Sequence, residues 1–271
     1  MDMLIDKQKV ANSFSRAAMT YDSVAELQRD VGHALMAHLP QTLGTASVQR
    51  VMDLGCGTGF FSPKLKQAYP EAELLNVDLA FGMLRYAREE RAIPDANWIC
   101  ADAEHLPFAN NSMSLVFSSL AIQWCADFSA LMTEIERVLA PGGQFVFATL
   151  GPSTLCELRR AWGEADSYTH VNQFLSSDEH LVVVPENLKV KVFDEELRVL
   201  RYPQLKGLTD ELKRLGAHNM NAGQQVGLTG RERVRRFKAA YEAQRLADGS
   251  IPATYQVYYA VFEKTLVEQY S

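Results

Sequence analysis

The residue types best suited to chemistry stand together early in the chain, in Val51-Met52-Asp53-Leu54-Gly55-Cys56-Gly57-Thr58-Gly59-Phe60. An apolar run enters a glycine-rich bend and then helix-forming sequence. Glycine suits such a bend because the backbone turns sharply and a ligand approaches where a Cβ would otherwise stand. Asp78 closes the next apolar run, roughly 20 residues on, where a carboxylate accepts both hydroxyl hydrogens of a ribose. Dinucleotide sites prefer Gly-x-Gly-x-x-Gly, with the pyrophosphate on a helix N-terminus. Here Gly55, Gly57 and Gly59 follow Gly-x-Gly-x-Gly, and Asp53 precedes them. A carboxylate there repels pyrophosphate and attracts the ammonium end of an amino acid. The spacing therefore favours S-adenosylmethionine over NAD. In Cys100-Ala101-Asp102-Ala103-Glu104, Asp102 and Ala103 are placed at the adenine end, and the Met83 thioether is placed against the ring. Helix capping by Asp102 and core packing of Met83 are the competing readings.

The elements around these residues read as alternating strands and helices. Apolar runs predict strands at 50–54, 73–78, 97–101, 114–119 and 144–150, with helices at 58–68, 81–90 and 128–140, the last ended by Pro141-Gly142-Gly143. Val10 and Phe14, then Leu27, Val31, Leu35 and Leu39, predict helices before this core, stopped by Pro40. Beyond Gly151, helices are expected at 152–165, at 208–215 with a Gly216 stop, and from a Thr229/Glu232 capping box onward. Strands are expected at 189–200 and 254–262, the second apolar on both faces and so interior. The order predicts an α/β fold with a seven-stranded sheet covered on both sides.

Composition narrows the function classes. In 271 residues the formal net charge is −6, which argues against general nucleic-acid binding. The N-terminus lacks the apolar run of a secretory signal, and no stretch of about 18 apolar residues occurs, so a cytoplasmic protein without a membrane span is expected. Cys56, Cys100, Cys125 and Cys156 lie far apart and support neither a disulfide framework nor a metal site. Between Arg198 and Lys238, ten Lys or Arg face three acids, a local reversal that suits an acidic partner.

The segment from Asp53 to Gly59, with Asp78, Asp102, Leu106-Pro107-Phe108 and Pro141-Gly142-Gly143, resembles class I S-adenosylmethionine-dependent methyltransferases over roughly residues 45–150. The flanks resemble the malonyl-acyl-carrier-protein O-methyltransferases, which act early in biotin synthesis. The matching segments are Phe14-Ser15-Arg16-Ala17-Ala18 with Tyr21, Gln123-Trp124-Cys125, Leu150-Gly151-Pro152, Gly216-Ala217-His218-Asn219 and Gly227-Leu228-Thr229-Gly230-Arg231. The resemblance implies a Rossmann-like seven-stranded methyltransferase sheet with N-terminal helices over residues 1–40 that cover the cofactor. It further implies an S-adenosylmethionine-binding core over 41–150, and over 151–271 a helical substrate lid plus C-terminal strands completing the same sheet, in a single domain. The implied reaction esterifies the free carboxylate of a malonyl thioester on acyl carrier protein, leaving S-adenosylhomocysteine and using no metal.

A carboxylate nucleophile is already ionised near neutral pH, so no strong base is required, only alignment and exclusion of water. Tyr21, Gln123, Trp124 and His218 are the candidate positioning residues, with His218 near the thioester arm. Arg159 is a candidate cation for the malonyl carboxylate. Lys213, Arg214, Arg231, Arg233, Arg235 and Arg236 are assigned to docking of the acidic carrier protein. A quinone precursor or free dicarboxylate as substrate, and a non-catalytic adenosyl-ligand binder, remain open on the same motifs.

Overall fold

The computed structural model describes residues 5–40, 48–217 and 230–266. His218, Asn219 and Gly227 to Thr229 lie outside these residues.

Two helices come first, α1 (Lys7–Tyr21) and α2 (Glu26–Met36). The Asp6 carboxylate caps α1 by accepting the Lys9 N–H at 3.1 Å. The core then runs β1 (Arg50–Leu54), α3 (Ser62–Ala68), β2 (Glu73–Asp78), α4 (Phe81–Arg91), β3 (Asn97–Cys100), β4 (Met113–Ser119), a short 3-10 turn at Ile122–Trp124, α5 (Phe128–Val138) and β5 (Leu139–Leu150). After it come α6 (Cys156–Gly163), α7 (Ser177–Val182), β6 (Leu188–Tyr202), α8 (Leu205–Leu215), α9 (Arg231–Glu242) and β7 (Ile251–Lys264). The sheet order is β3-β2-β1-β4-β5-β7-β6. The first five strands are parallel, and β7 runs antiparallel between β5 and β6. Strand order reverses between β1 and β4, the switch point where ligands of open α/β sheets bind.

Strand side chains alternate between two cores, as a period of two requires. Val51, Leu74, Leu115 and Val146 pack with Leu27, Val31 and Leu35 of α2, Leu65 of α3, Leu158 of α6, Leu208 of α8 and Phe237 of α9. Their neighbours Met52, Leu75, Val116 and Phe147 pack with Leu131 and Ile135 of α5 on the other face. Burial on both faces explains the near-continuous apolar runs of the parallel strands.

Three sequence expectations need correction. The 128–140 helix stops at Val138, and Leu139 to Gly143 already belong to β5, with Gly142 at φ +77°. Pro-Gly-Gly here is carried in a strand entry instead of ending a helix. Thr58 to Phe61 form turns ahead of α3, so the first helical turn is lost to the glycine bend. The 152–165 helix begins only at Cys156, after a turn in which Leu155 takes φ +54°.

The N-terminal helices are pinned over the switch point. Asp22, just past α1, accepts the Thr58 hydroxyl at 2.6 Å and pairs with Arg91 of α4. Gly82 lets α1 approach α4 closely: a Cβ at Gly82 would stand 2.7 Å from the Ser15 Cα and 2.8 Å from its carbonyl oxygen. Gly82→Ala is therefore expected to cost about 1–3 kcal/mol by overpacking, read as a lower Tm in a thermal melt. An unchanged Tm would contradict the close helix contact.

Candidate functional site

At the C-terminal edge of β1 the backbone of Gly55, Gly57 and Gly59 takes φ of +71°, +54° and +69°. The three glycines do different work. A Cβ on Gly55 would lie 2.2 Å from the Ala121 Cβ, so Gly55 lets the bend pass the end of β4. A Cβ on Gly59 would meet Trp98 at 2.9 Å and Ala87 at 3.1 Å, so Gly59 serves packing against α4 and β3. A Cβ on Gly57 meets nothing within 4 Å, leaving bare backbone beside open space.

Asp78, at the end of β2, holds this bend. Its Oδ2 accepts the Gly57 N–H at 2.8 Å and its Oδ1 accepts the Ala80 N–H at 2.7 Å, at the start of α4. Burial pushes the carboxyl pKa up while these two bonds pull it down, for a net rise. Each oxygen keeps a second lone pair for a further donor.

Three adjoining cavities surround the bend. The first, about 110 Å³, is lined by Gly55, Gly57, Asp78, Met83, Asp102 and Ala103, with Lys7 and Phe14 of α1 as its lid. The second, about 450 Å³, is largely apolar and lies under α6, α8 and α9, with Gln123, Leu158, Trp162, His170, Lys213 and Tyr255 in its wall. The third, about 50 Å³, holds Asp53 and Asp22 beside Arg29 and Gln28 of α2. Tyr21 borders all three, and Phe14, Leu120 and Trp124 border both the first and the second.

These residues fit an adenosyl amino acid. The Ser119 hydroxyl oxygen is buried without a hydrogen-bond partner where the first and third cavities meet, and the Gln28 and Gln123 side-chain oxygens are likewise unpartnered at the second. Gly57 offers uncovered backbone, Asp78 spare acceptor capacity, and Met83 with Ala103 an apolar slot. Asp53 borders only the third cavity, with a neighbouring arginine that suits the opposite charge of a zwitterion. Among the described residues no group of three or more His, Cys, Asp or Glu is arranged to hold a metal ion.

The candidate positioning residues stand apart in their settings. Burial pushes the Tyr21 hydroxyl far above its ordinary range, and the Asp78 and Asp22 charges push it the same way, so it remains an O–H donor. Gln123 gives one amide N–H to the Leu120 carbonyl at 2.6 Å. The Trp124 ring meets Phe14 edge-on, with centroids 5.3 Å apart. Asp102 is already engaged: its Oδ2 accepts from Lys7 Nζ at 2.6 Å, and Lys7 also reaches the nearly buried Glu104 at 2.7 Å. Lys7 and its backbone neighbours hold the Asp102 pKa down despite desolvation, the largest single influence. Arg159 turns to the carbonyls of Pro152 and Thr154, at 2.9 and 3.2 Å, and lines neither the first nor the second cavity.

The basic stretch divides. Arg214 reaches Ser23 at 2.7 Å, and Lys213 stands exposed at the rim of the second cavity. Exposed Arg235 and Arg236 share Glu232 at 2.9 and 3.5 Å. Arg231 is exposed at the first turn of α9. Arg233 instead turns inward, 3.6 Å from the nearly buried Asp166 and over the Tyr168 ring.

Sequence reasoning missed Lys7, Arg29, Ser119, Leu120 and His170. Leu120 adopts φ +50°, an uncommon conformation for a branched residue, and so lies in the wall between the two larger cavities. No local signal marks that backbone. Lys7 carried no local signal that set it apart from Lys9 on the same helix, because its carboxylate partner is 95 residues away.

The pattern of the methyltransferase-domain family matches residues 52–147. The chain is 49% identical over 261 residues to the bifunctional biotin biosynthesis protein BioHC of Cellvibrio japonicus, a match covering 96% of this chain and 51% of that protein. The chain thus spans about half the length of these bifunctional relatives. It is 42% identical over 265 residues to the malonyl-[acyl-carrier protein] O-methyltransferase of Laribacter hongkongensis, covering 94% of this chain and 88% of that one. Among solved structures, the YcgJ protein of Bacillus subtilis superposes with a TM-score of 0.61 at 18% identity, over 87% of this chain and 100% of that one. The [4+2]-cyclase SpnF superposes at 0.54 and 15% identity, over 88% of this chain and 81% of that one. The likeness to these two structures is one of fold alone.

Asp53 gives the bend a pH signature. Burial raises its carboxyl to about 7, against the pull of the Ser62 hydroxyl that donates to it at 2.8 Å. The unfolded carboxyl titrates near ~3.9, so between these values the folded state retains a proton the unfolded chain has lost. Its stabilising share is full below the lower value and disappears as pH rises through the higher one. Asp53→Asn keeps an acceptor for Ser62. Without ligand, its Tm should equal the wild type at about pH 4 and exceed it at about pH 8; equal values at both would contradict the burial.

Proposed function

The chain belongs to the malonyl-[acyl-carrier protein] O-methyltransferase family, and from that premise we propose that it transfers the methyl group of S-adenosylmethionine to the free carboxylate of a malonyl thioester on acyl carrier protein. The observation that carries this reading is the meeting of the cavity at the glycine bend with a larger apolar one at a wall of Phe14, Tyr21, Leu120 and Trp124.

Gly57 and Asp78 hold the ribose, Met83 and Ala103 the adenine, and Asp102, oriented by Lys7, accepts from the adenine amino group. Asp53 takes the ammonium and Arg29 the carboxylate of the methionine end. The bound cofactor supplies a methyl group made electrophilic by its sulfonium: a carboxylate oxygen forms the new C–O bond as the S–C bond breaks. The protein's share is placement. Tyr21 and Trp124, in the shared wall, and Gln123, in the wall of the second cavity, orient the malonyl carboxylate. The apolar wall strips water from it. Within residues 151–271, α6, α8 and α9 form the lid over the cavity in which the acyl chain lies, while β6 and β7 complete the sheet.

The carrier docks on the exposed cations Lys213, Arg214, Arg231, Arg235 and Arg236, where long-range attraction to an acidic partner speeds encounter. Arg233, committed to Asp166, contributes at the edge of this surface. Added salt then weakens turnover of the carrier-bound substrate more than that of a small thioester. We assign the protein to the cytoplasm; no helix among the described residues is long and apolar enough to cross a membrane.

The decisive test incubates malonyl-acyl carrier protein, malonyl coenzyme A and free malonate separately with the protein and S-adenosylmethionine, then reads each by mass spectrometry. Methylation of the carrier-bound substrate alone, or far fastest, is expected; no methylation of any overturns the reading. Asp78→Ala should weaken S-adenosylmethionine binding by about 1.5–3 kcal/mol, the scale of hydrogen bonds involving a charged group. Titration calorimetry showing unchanged affinity would contradict the ribose contact.

A further inference from the structure

The far wall of the second cavity contains a polar device that the reaction as derived does not use. Trp162 of α6 is sandwiched between His170, with ring centroids 3.8 Å apart, and Phe237 of α9, at 4.0 Å. The stacked rings are nearly parallel, at 12° and 14°, and all three line the cavity. His170 Nε2 lies 2.8 Å from Asp166 Oδ1, which also accepts the Tyr168 N–H at 3.0 Å. Arg233 lies 3.6 Å from the other oxygen, and the Asp166 side chain is only 7% exposed. A carboxylate paired with a cation accepts, so the contact fits Nε2 as the donor. In that tautomer Nδ1 is left as an acceptor.

An acceptor at this point selects for a particular part of the substrate. A malonyl group offers no donor, because its carboxylate and thioester carbonyl both accept. The first donor along a carrier-bound or coenzyme-bound substrate is the amide N–H of the thiol arm, two carbons beyond the sulfur. Position agrees with this chemistry. The reacting end lies at Phe14, Tyr21, Leu120 and Trp124, which the first cavity shares, whereas Trp162, His170 and Phe237 border the second cavity alone among the three described.

We propose that His170, oriented by Asp166 and stacked on Trp162, is the specificity residue that accepts the amide N–H of the substrate's thiol arm, so that the site reads the arm as well as the acid. This rests on the methyltransferase reading above and names the part of the substrate that the second cavity recognises.

The test uses two small probes with S-adenosylmethionine: S-malonyl-N-acetylcysteamine, and the same thioester N-methylated at the amide, which lacks the N–H. Wild type should favour the first by about 3- to 10-fold in kcat/KM, the worth of one neutral hydrogen bond. In His170→Leu the ratio between probes should collapse to about one, whatever the absolute rates, and His170→Asn, which restores an acceptor, should recover part of it. Asp166→Ala removes the acceptor that fixes the proton on Nε2, so it should weaken the preference as well. A purely structural role for the dyad would lower both probes alike and leave the ratio intact, and that outcome overturns the proposal. So does a wild type without preference. A wild type that methylates neither probe nor the malonyl carrier protein overturns instead the function on which the proposal stands.

Discussion

One carboxylate joins the parts of the site. Asp78 divides its two oxygens between the Gly57 N–H in the glycine bend and the Ala80 N–H at the start of α4. The bend, the end of β2 and the start of the second helix of the core are thereby fixed to one point, with the bend 21 residues before Asp78. The cost is a charge held out of water, visible as the rise in its pKa. Partly buried carboxylates with spare lone pairs are poised to accept further hydrogen bonds, and the same group that organises the bend is available to a ligand hydroxyl. Tyr21 and Asp53 feel the same charge: each is shifted upward chiefly by burial and further by Asp78.

The second organising constraint is the N-terminal cover. Asp22 ties α1 to Thr58 in the bend and to Arg91 on α4, while Lys7 at the other end of α1 pairs with Asp102 and Glu104. Glu104 in turn accepts the Ala126 N–H at 2.6 Å with its other oxygen. The helix is thus fastened at one end to the rim of the first cavity and at the other beside the third. Such partly exposed ion pairs contribute little stability individually. Their value is geometric, because they hold Phe14 and Tyr21 in the wall shared by the two larger cavities.

The sequence was most readable where a backbone requirement and a side-chain requirement coincide. Gly55, Gly57, Gly59, Asp53 and Asp78 announced the bend and its partner, and the apolar runs around them announced β1, β2 and β4. Reading failed where one residue type serves two conformations. Pro141-Gly142-Gly143 looks like a helix stop but runs inside β5. Long-range pairing was invisible for a different reason: Lys7 with Asp102, Arg233 with Asp166 and Thr20 with Arg214 connect segments whose proximity only the folded sheet creates. Arg159 shows the complementary error. Its charge suggested an anion ligand, yet its guanidinium is spent on carbonyls of the preceding turn.

The placement of β7 has a consequence for biosynthesis. It lies between β5 and β6, so β6 leaves the ribosome before the strand that is its sheet neighbour. Until residues 251–264 emerge, β6 exposes unsatisfied amides along both edges, and the helices on either side of it in the chain have no completed surface to settle on. The nucleoside half, finished with β5, has all its parallel strands by then. A frameshift early in β7 would thus spare the first half while removing Tyr255 and the strand between β5 and β6 on which the larger cavity is built.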